Sequence, residues 1–246
     1  MKLLESNAVI TSKKIIFDDI DIGNMKEKDF EKLRGNKISM IFQDPMTSLN
    51  PLYTIGNQMT EHLIKHKRIS KKDAYDKAVK MLEMVGISSA EKRMHQYPHE
   101  FSGGMRQRVM IAMSIICEPS LIIADEPTTA LDVTIQAQIL DILKDLKEKM
   151  NTSVILITHD LGIVADLCSR INVMYGGIIV EEGSAEDIFY NSKHPYTWGL
   201  LRSVPNPKSK VKEKLKPIDG QPPDLLKPPL GCPFAPRCDY TMKVCL

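Results

Sequence analysis

The residue pattern predicts an α/β fold with a mostly parallel sheet and helices on both faces. Three apolar runs, residues 37–42, 121–124 and 153–157, are too short for helices and have the character of buried strands. Between them lie stretches with apolar residues at helical spacing: Met105, Val109, Ala112, Met113 and Ile116 in one, and Ile135, Ile139, Ile142, Leu146 and Met150 in another. At 246 residues the chain is long enough for one large α/β core with a small appendage.

Each element has its own warrant. Residues 1–10 form a short apolar piece without a clear cap, and Lys14 to Phe17 followed by Asp18-Asp19 reads as a strand entering a turn of a peripheral antiparallel sheet. Residues 25–33 have the pattern of a short helix, and the strand at 37–42 ends at Gln43. From about 54 to 97 the amphipathic set Ala74, Ala78, Met81, Leu82 and Val85 is closed by Gly86, with Lys71, Lys72 and Lys80 as a solvated face. The β-branched run 153–157 points to His159 near the end of the 121–124 strand if the two are neighbours. Two further runs, 171–175 and 178–182, are split by Gly176-Gly177 and predict a hairpin with a two-residue turn.

Two features carry nucleotide chemistry. Ser102-Gly103-Gly104 opens the 105–116 helix, so a serine N-cap and two glycines leave backbone N–H groups free for an anion. The 121–124 run delivers Asp125 and Glu126 to its carboxyl end, where open parallel sheets bind ligands. Such a pair can divide labour, Asp125 holding Mg²⁺ while Glu126 polarises an attacking water. Taken singly, a strand-end carboxylate pair is more often solvated, and a lone histidine such as His159 more often structural.

Composition narrows the function classes. A net charge of +2, from 33 basic and 31 acidic residues, argues against a nucleic-acid partner. No run reaches the roughly 18 to 20 apolar residues needed to span a bilayer, and the N-terminus has no signal-peptide pattern. The expectation is a cytoplasmic protein, with any membrane attachment made through a partner.

Phe-Ser-Gly-Gly-Met-Arg-Gln-Arg at 101–108, the strand ending Asp125-Glu126-Pro127, Ala130-Leu131-Asp132 and Thr158-His159-Asp160 resemble, in order, the nucleotide-binding domain of ABC transporters. The stretch Asp44 to Pro51 and the segment His194-Pro195-Tyr196 with Trp198-Gly199-Leu200-Leu201 resemble the ATPase subunits of oligopeptide and dipeptide importers, and residues 101–108 with Pro127-Thr128-Thr129-Ala130-Leu131-Asp132 look closest to the first-subunit type. The resemblance implies an ABC-type P-loop NTPase core at 1–190 with a helical subdomain at about 54–118, and an importer-type tail at 191–246. It implies ATP and Mg²⁺ as cofactors, with Glu126 as general base and Asp125 on Mg²⁺. Gln43 contacts Mg²⁺ and water, His159 orients water and γ-phosphate, and Asp132 organises a dimer seam. Ser102, Gly103, Gly104 and Met105 face the nucleotide, with Met105 standing where glutamine is commoner. The implied partners are two transmembrane permease subunits, a second ATP-binding subunit and an extracytoplasmic peptide-binding protein. Importers of nickel or other small solutes share these motifs, and a soluble nucleic-acid-handling ATPase of the same class is opposed by the balanced charge.

The tail stands apart in composition. Nine of the 15 prolines lie in residues 205–236, behind a lysine run from Lys208 to Lys216, which marks an extended linker. Cys232, Cys238 and Cys245 have spacing unlike a zinc site, and a disulfide is unexpected in a reducing cytosol. In the resembled importers a similar cysteine tail is associated with a [4Fe–4S] cluster, which takes four thiolates where three are here. A fourth beyond Leu246, a degenerate site and free thiols all stay open. The sequence contains no Gly-Lys pair, so the P-loop of the resemblance, Gly-x-x-x-x-Gly-Lys-[Ser/Thr], is absent from it and the core is expected to be N-terminally truncated. A non-catalytic chain that completes a partner's ATP site is the alternative.

Overall fold

The computed structural model describes residues 1, 3–4, 7–44, 48–129, 132–150, 152–204 and 217–246. Pro45 to Thr47, Ala130-Leu131 and the lysine-rich linker 205–216 lie outside these described residues. The chain divides into two compact units, Met1–Ile157 and Thr158–Leu246.

The first unit opens with a hairpin of β1, Ile16–Phe17, and β2, Ile20–Asp21, turned by Asp18 and Asp19 at φ 47° and 62°. Two positive φ values are what a tight two-residue hairpin turn demands, and aspartate tolerates them. Helix α1, Glu27–Leu33, follows and buries Phe30. The sheet comprises β3, Ile38–Ile41, β4, Leu121–Asp125, and β5, Ser153–Ile157, all parallel in the order β3-β4-β5. Ile38, Ile41, Ile122 and Ala124 are buried in it.

Between β3 and β4 run α2, Ile55–Lys67, α3, Lys71–Met84, α4, Ala90–Arg93, and α5, Gly103–Ile115. Thr54 caps α2 and Ser70 caps α3 through their hydroxyls. Ala74, Ala78, Met81, Leu82 and Val85 are all buried, as the periodicity required, and Gly86 ends the segment at φ 76°. Helix α6, Val133–Lys149, buries Ile139, Leu143 and Leu146. Strand β5 departs from expectation: it is an edge strand with Ile155 and Ile157 about half exposed, so its β-branched run is not fully buried.

The second unit contains α7, Leu161–Leu167, then the hairpin of β6, Arg170–Tyr175, and β7, Ile178–Ser184. Gly176 and Gly177 make its turn at φ 56° and 81°. Helix α8, Ala185–Tyr190, packs Ile188 against Ile171 and Val173, and α9, Pro195–Arg202, carries the His-Pro-Tyr segment. Among the described residues no helix is long and apolar enough to cross a membrane.

Candidate functional site

The parallel register β3-β4-β5 brings the carboxyl ends of the strands together, with Ile41 beside Ala124 and Asp125 beside Ile157. Gln43 leaves β3 and Glu126 leaves β4 at this end. Although 83 residues apart, they meet: Gln43 Nε2 donates to Glu126 Oε2 at 2.9 Å. Thr129 Oγ1 donates to the same oxygen at 2.8 Å. Both donors are neutral, so these two bonds orient the carboxylate without bringing a charge to it.

The backbone around Glu126 is equally constrained. Its N–H donates to Ile157 O at 2.9 Å, extending the β4–β5 ladder by one residue, and Thr129 N–H donates back to Glu126 O at 3.2 Å. Glu126 sits at φ 43°, an uncommon conformation for a non-glycine residue that a surrounding structure has to over-determine. Asp125 ends β4 half-buried beside it.

The serine-capped start of α5 is formed as the sequence suggests. Ser102 is the N-cap of the 13-residue α5, and its hydroxyl accepts from Met105 N–H at 3.4 Å. Ser102 and Gly103 are exposed, and a Cβ placed on Gly103 would meet nothing within 4 Å. Gly104 differs, since a Cβ there would come within 3.0 Å of Ile135 on α6. Close passage of the two helices is the reason for that glycine. Asp132 is the N-cap of α6, its Oδ1 accepting from Ile135 N–H at 2.9 Å, which gives it a structural duty independent of any partner.

The geometry draws in two residues to which the sequence assigned no role. Thr129 anchors Glu126, and Gln107, 1% exposed, donates from Nε2 to Pro127 O at 2.6 Å. The signal for Gln107 was a polar residue among the buried positions of a helix; Thr129 had none. His159 lies in the second unit, exposed, before the Asp160 N-cap of α7.

Three of the cysteines of the second unit, Cys232, Cys238 and Cys245, are drawn into one knot of backbone. Cys232 N–H donates to Cys245 O at 2.8 Å, and Cys232 and Cys238 are linked through Ala235. A Cβ on Gly231 would overlap the Cys245 carbonyl, so only glycine allows this approach. His194 Nδ1 accepts from Tyr196 N–H, which leaves the proton of the neutral ring on Nε2, 3.9 Å from Cys232 Sγ. Burial holds the His194 pKa below its ordinary value. Arg237 ties the knot down, donating to Tyr175 Oη, Ile218 O and Asp219 O.

Among the described residues no three His, Cys, Asp or Glu side chains converge on a metal position. For Mg²⁺ this is no obstacle, because that ion is commonly held by one or two carboxylates together with phosphate oxygens, and Asp125 supplies a hard oxygen donor. A [4Fe–4S] cluster asks for four converging thiolates, and Cys232, Cys238 and Cys245 as arranged do not fit it.

A helix packed on β3 of a parallel sheet whose carboxyl end presents an oriented glutamate defines an α/β protein of the class that binds ligands at its strand ends. The ABC transporter family model matches residues 1–129, and the model for the oligopeptide/dipeptide transporter C-terminal region matches residues 180–245. The chain belongs to the ABC transporter family of ATP-binding proteins. It is 57% identical to the oligopeptide transport ATP-binding protein OppD of Bacillus subtilis over 94% of this chain and 64% of that one. It is 53% identical to OppD of Salmonella typhimurium over 100% of this chain and 72% of that one. The ATP-binding cassette MJ0796, in a dimeric post-hydrolysis state bound to ADP and Pi, superposes with a TM-score of 0.63 and 29% identity, covering 70% of this chain and 73% of that one. The chain thus spans about two thirds of the length of its curated relatives.

Proposed function

We propose that this chain is the ATP-hydrolysing motor subunit of an importer of oligopeptides or dipeptides, working peripherally at the cytoplasmic face of the membrane. Its partners in this reading are two permease subunits, a second ATP-binding subunit and an extracytoplasmic peptide-binding protein. The observation that carries the reading is the carboxylate of Glu126, held by Gln43 and Thr129 at the carboxyl end of β4.

Bound ATP and Mg²⁺ supply the reacting γ-phosphate and the positive charge that neutralises it. Asp125 is proposed to hold Mg²⁺. Glu126 accepts the proton of the attacking water, Gln43 orients both that water and the base, and His159 lines up the γ-phosphate. Ser102, Gly103, Gly104 and Met105 present the α5 N-terminus to a nucleotide across the dimer seam, which Asp132 borders. A negative phosphate is stabilised there by free N–H groups and the helix dipole. Hydrolysis should drive movement of the permease.

A second reading rests on the serine-capped, exposed start of α5 alone. In it the chain only completes a partner's ATP site through Ser102. Measuring ATPase activity of the assembled transporter carrying Ser102→Arg or Glu126→Gln separates them. Loss with both supports the motor; loss with Ser102→Arg alone supports the completing subunit. Activity untouched by either would sink both readings. For the tail we propose free thiols in this arrangement, and a broad brown absorbance in anaerobic protein that Cys238→Ser removes would overturn that in favour of the cluster.

A further inference from the structure

Gln107 occupies a position that an apolar residue would ordinarily fill. It lies in the second turn of α5 at 1% exposure, followed on the same helix by buried Val109, Met110 and Ile111. One half of its amide is bonded, Nε2 to Pro127 O at 2.6 Å, while Oε1 is buried with no hydrogen-bond partner. The assignment is forced, because a flipped amide would set two carbonyl oxygens against each other. An orphaned buried oxygen is a cost that a methionine or leucine would not incur. What the bonded half does therefore has to account for the residue.

The bonded half reaches the segment that shapes the base. Pro127 directly follows Glu126, and it has no N–H of its own to anchor it. Glu126 is pinned on its other side by Ile157 O, and the turn is closed by Thr129 N–H to Glu126 O. Gln107 grips the peptide carbonyl between these two points. At the N-terminus of the same helix stands Ser102, five residues earlier in the chain. Arg108, next to Gln107, donates to Val85 O and Gly86 O and to the side chain of Gln138 on α6. Helix α5 is thus held on both sides, and Gln107 is its link to the turn carrying Glu126.

We propose that Gln107 is a positioning residue that ties the phosphate-facing end of α5 to the carboxylate of Glu126, so that the helix serving one nucleotide sets the base serving another. This rests on the motor reading above. A hydrogen-bonded helix moves as a rod, and a shift at Ser102 carries Gln107 with it. The Pro127 peptide then turns, and Glu126, already confined at φ 43°, swings its carboxylate away from Gln43 and Thr129.

The test uses the assembled transporter with Gln107→Met, which keeps length and apolar volume and deletes both the bond and the orphaned oxygen. The melting temperature and the KM for ATP are expected to stay at wild-type values while kcat falls about ten- to a hundredfold, as small misplacements of a catalytic group do. Combined with Glu126→Gln, it should add almost nothing, because the two act through one group. Wild-type kcat in Gln107→Met, where Glu126→Gln destroys activity, would overturn the inference and leave the motor reading standing. A silent Glu126→Gln would overturn the motor reading and the inference with it. If Gln107→Met does not fold, Gln107→Leu serves as the second variant, and failure of both to fold overturns the proposal, since the bond would then be purely structural.

Discussion

The carboxyl end of β4 and the cysteine-bearing tail are built on opposite plans. At β4 a few polar side chains converge on one carboxylate, and half-buried Glu126 accepts hydrogen bonds from Gln43 and Thr129. Tyr196 and Phe234 of the tail pack ring against ring with Tyr175 of β6 at centroid distances of 4.6 to 5.3 Å, and Arg237 laces the backbone over them. The first arrangement orients a group and adds little to stability. The second holds chain in place. Substitutions should therefore split cleanly: activity without stability at β4, stability without activity in the tail.

The largest effect is expected at the α5 N-terminus. Ser102→Arg fills the proposed anion site with bulk at an exposed position, and ATP hydrolysis by the assembled transporter should fall by about 10² or more, the scale of losing transition-state donors. Circular dichroism should register no change. A comparable loss accompanied by unfolding would show that the cap was holding the helix rather than serving the nucleotide.

Arg237→Met probes the other side of the comparison. Three hydrogen bonds from one guanidinium disappear, and the second unit should lose about 2 kcal/mol, on the scale for bonds to a charged group. Hydrogen exchange of residues 217–246 should quicken, with turnover of the transporter unchanged. Protected tail amides in this variant would mean that ring packing alone suffices.

Asp132→Ala tests a residue that straddles the two plans. Loss of the α6 N-cap should cost about 1 kcal/mol in the first unit. Asp132→Asn keeps an accepting oxygen and should restore the stability; if activity stays low in Asp132→Asn, the charge has a role at the seam beyond capping.

The smallest effect is a pH dependence in the first unit. Burial lowers the His62 pKa, with Glu61 opposing and Lys65 adding to the shift. The unfolded chain then takes up its proton first as pH falls through about 6.5, so this contribution is complete above that value and lost below it. His62→Gln should flatten the acid side of a melting-temperature profile, and an unchanged profile would assign the acid sensitivity elsewhere.

Legibility differed between the regions for physical reasons. Phosphate chemistry restricts residue types severely, so Ser102, Asp125 and Glu126 stand out as a pattern in the amino-acid sequence itself. Capping rules likewise placed α5, and the buried face of α3 followed from its period. The β6–β7 hairpin was legible because two successive positive φ values leave few residues besides glycine. The three cysteines were visible as a cluster, yet spacing could not say where their sulfurs would point.

Local sequence, then, determined the elements themselves: helix faces, caps, turns and the strand that carries Asp125. Only the tertiary structure decided what met at their ends. That Gln43 reaches across 83 residues to Glu126, and that Gln107 holds the Pro127 carbonyl, depends on strand order, register and helix approach. These are settled by packing the whole sheet and its helices together. Strand β5 makes the same point in reverse: its β-branched residues specify a strand, but its place at the sheet edge left Ile155 and Ile157 half exposed. Propensity acts residue by residue, whereas burial and hydrogen-bond partners belong to neighbours that lie far off in the chain.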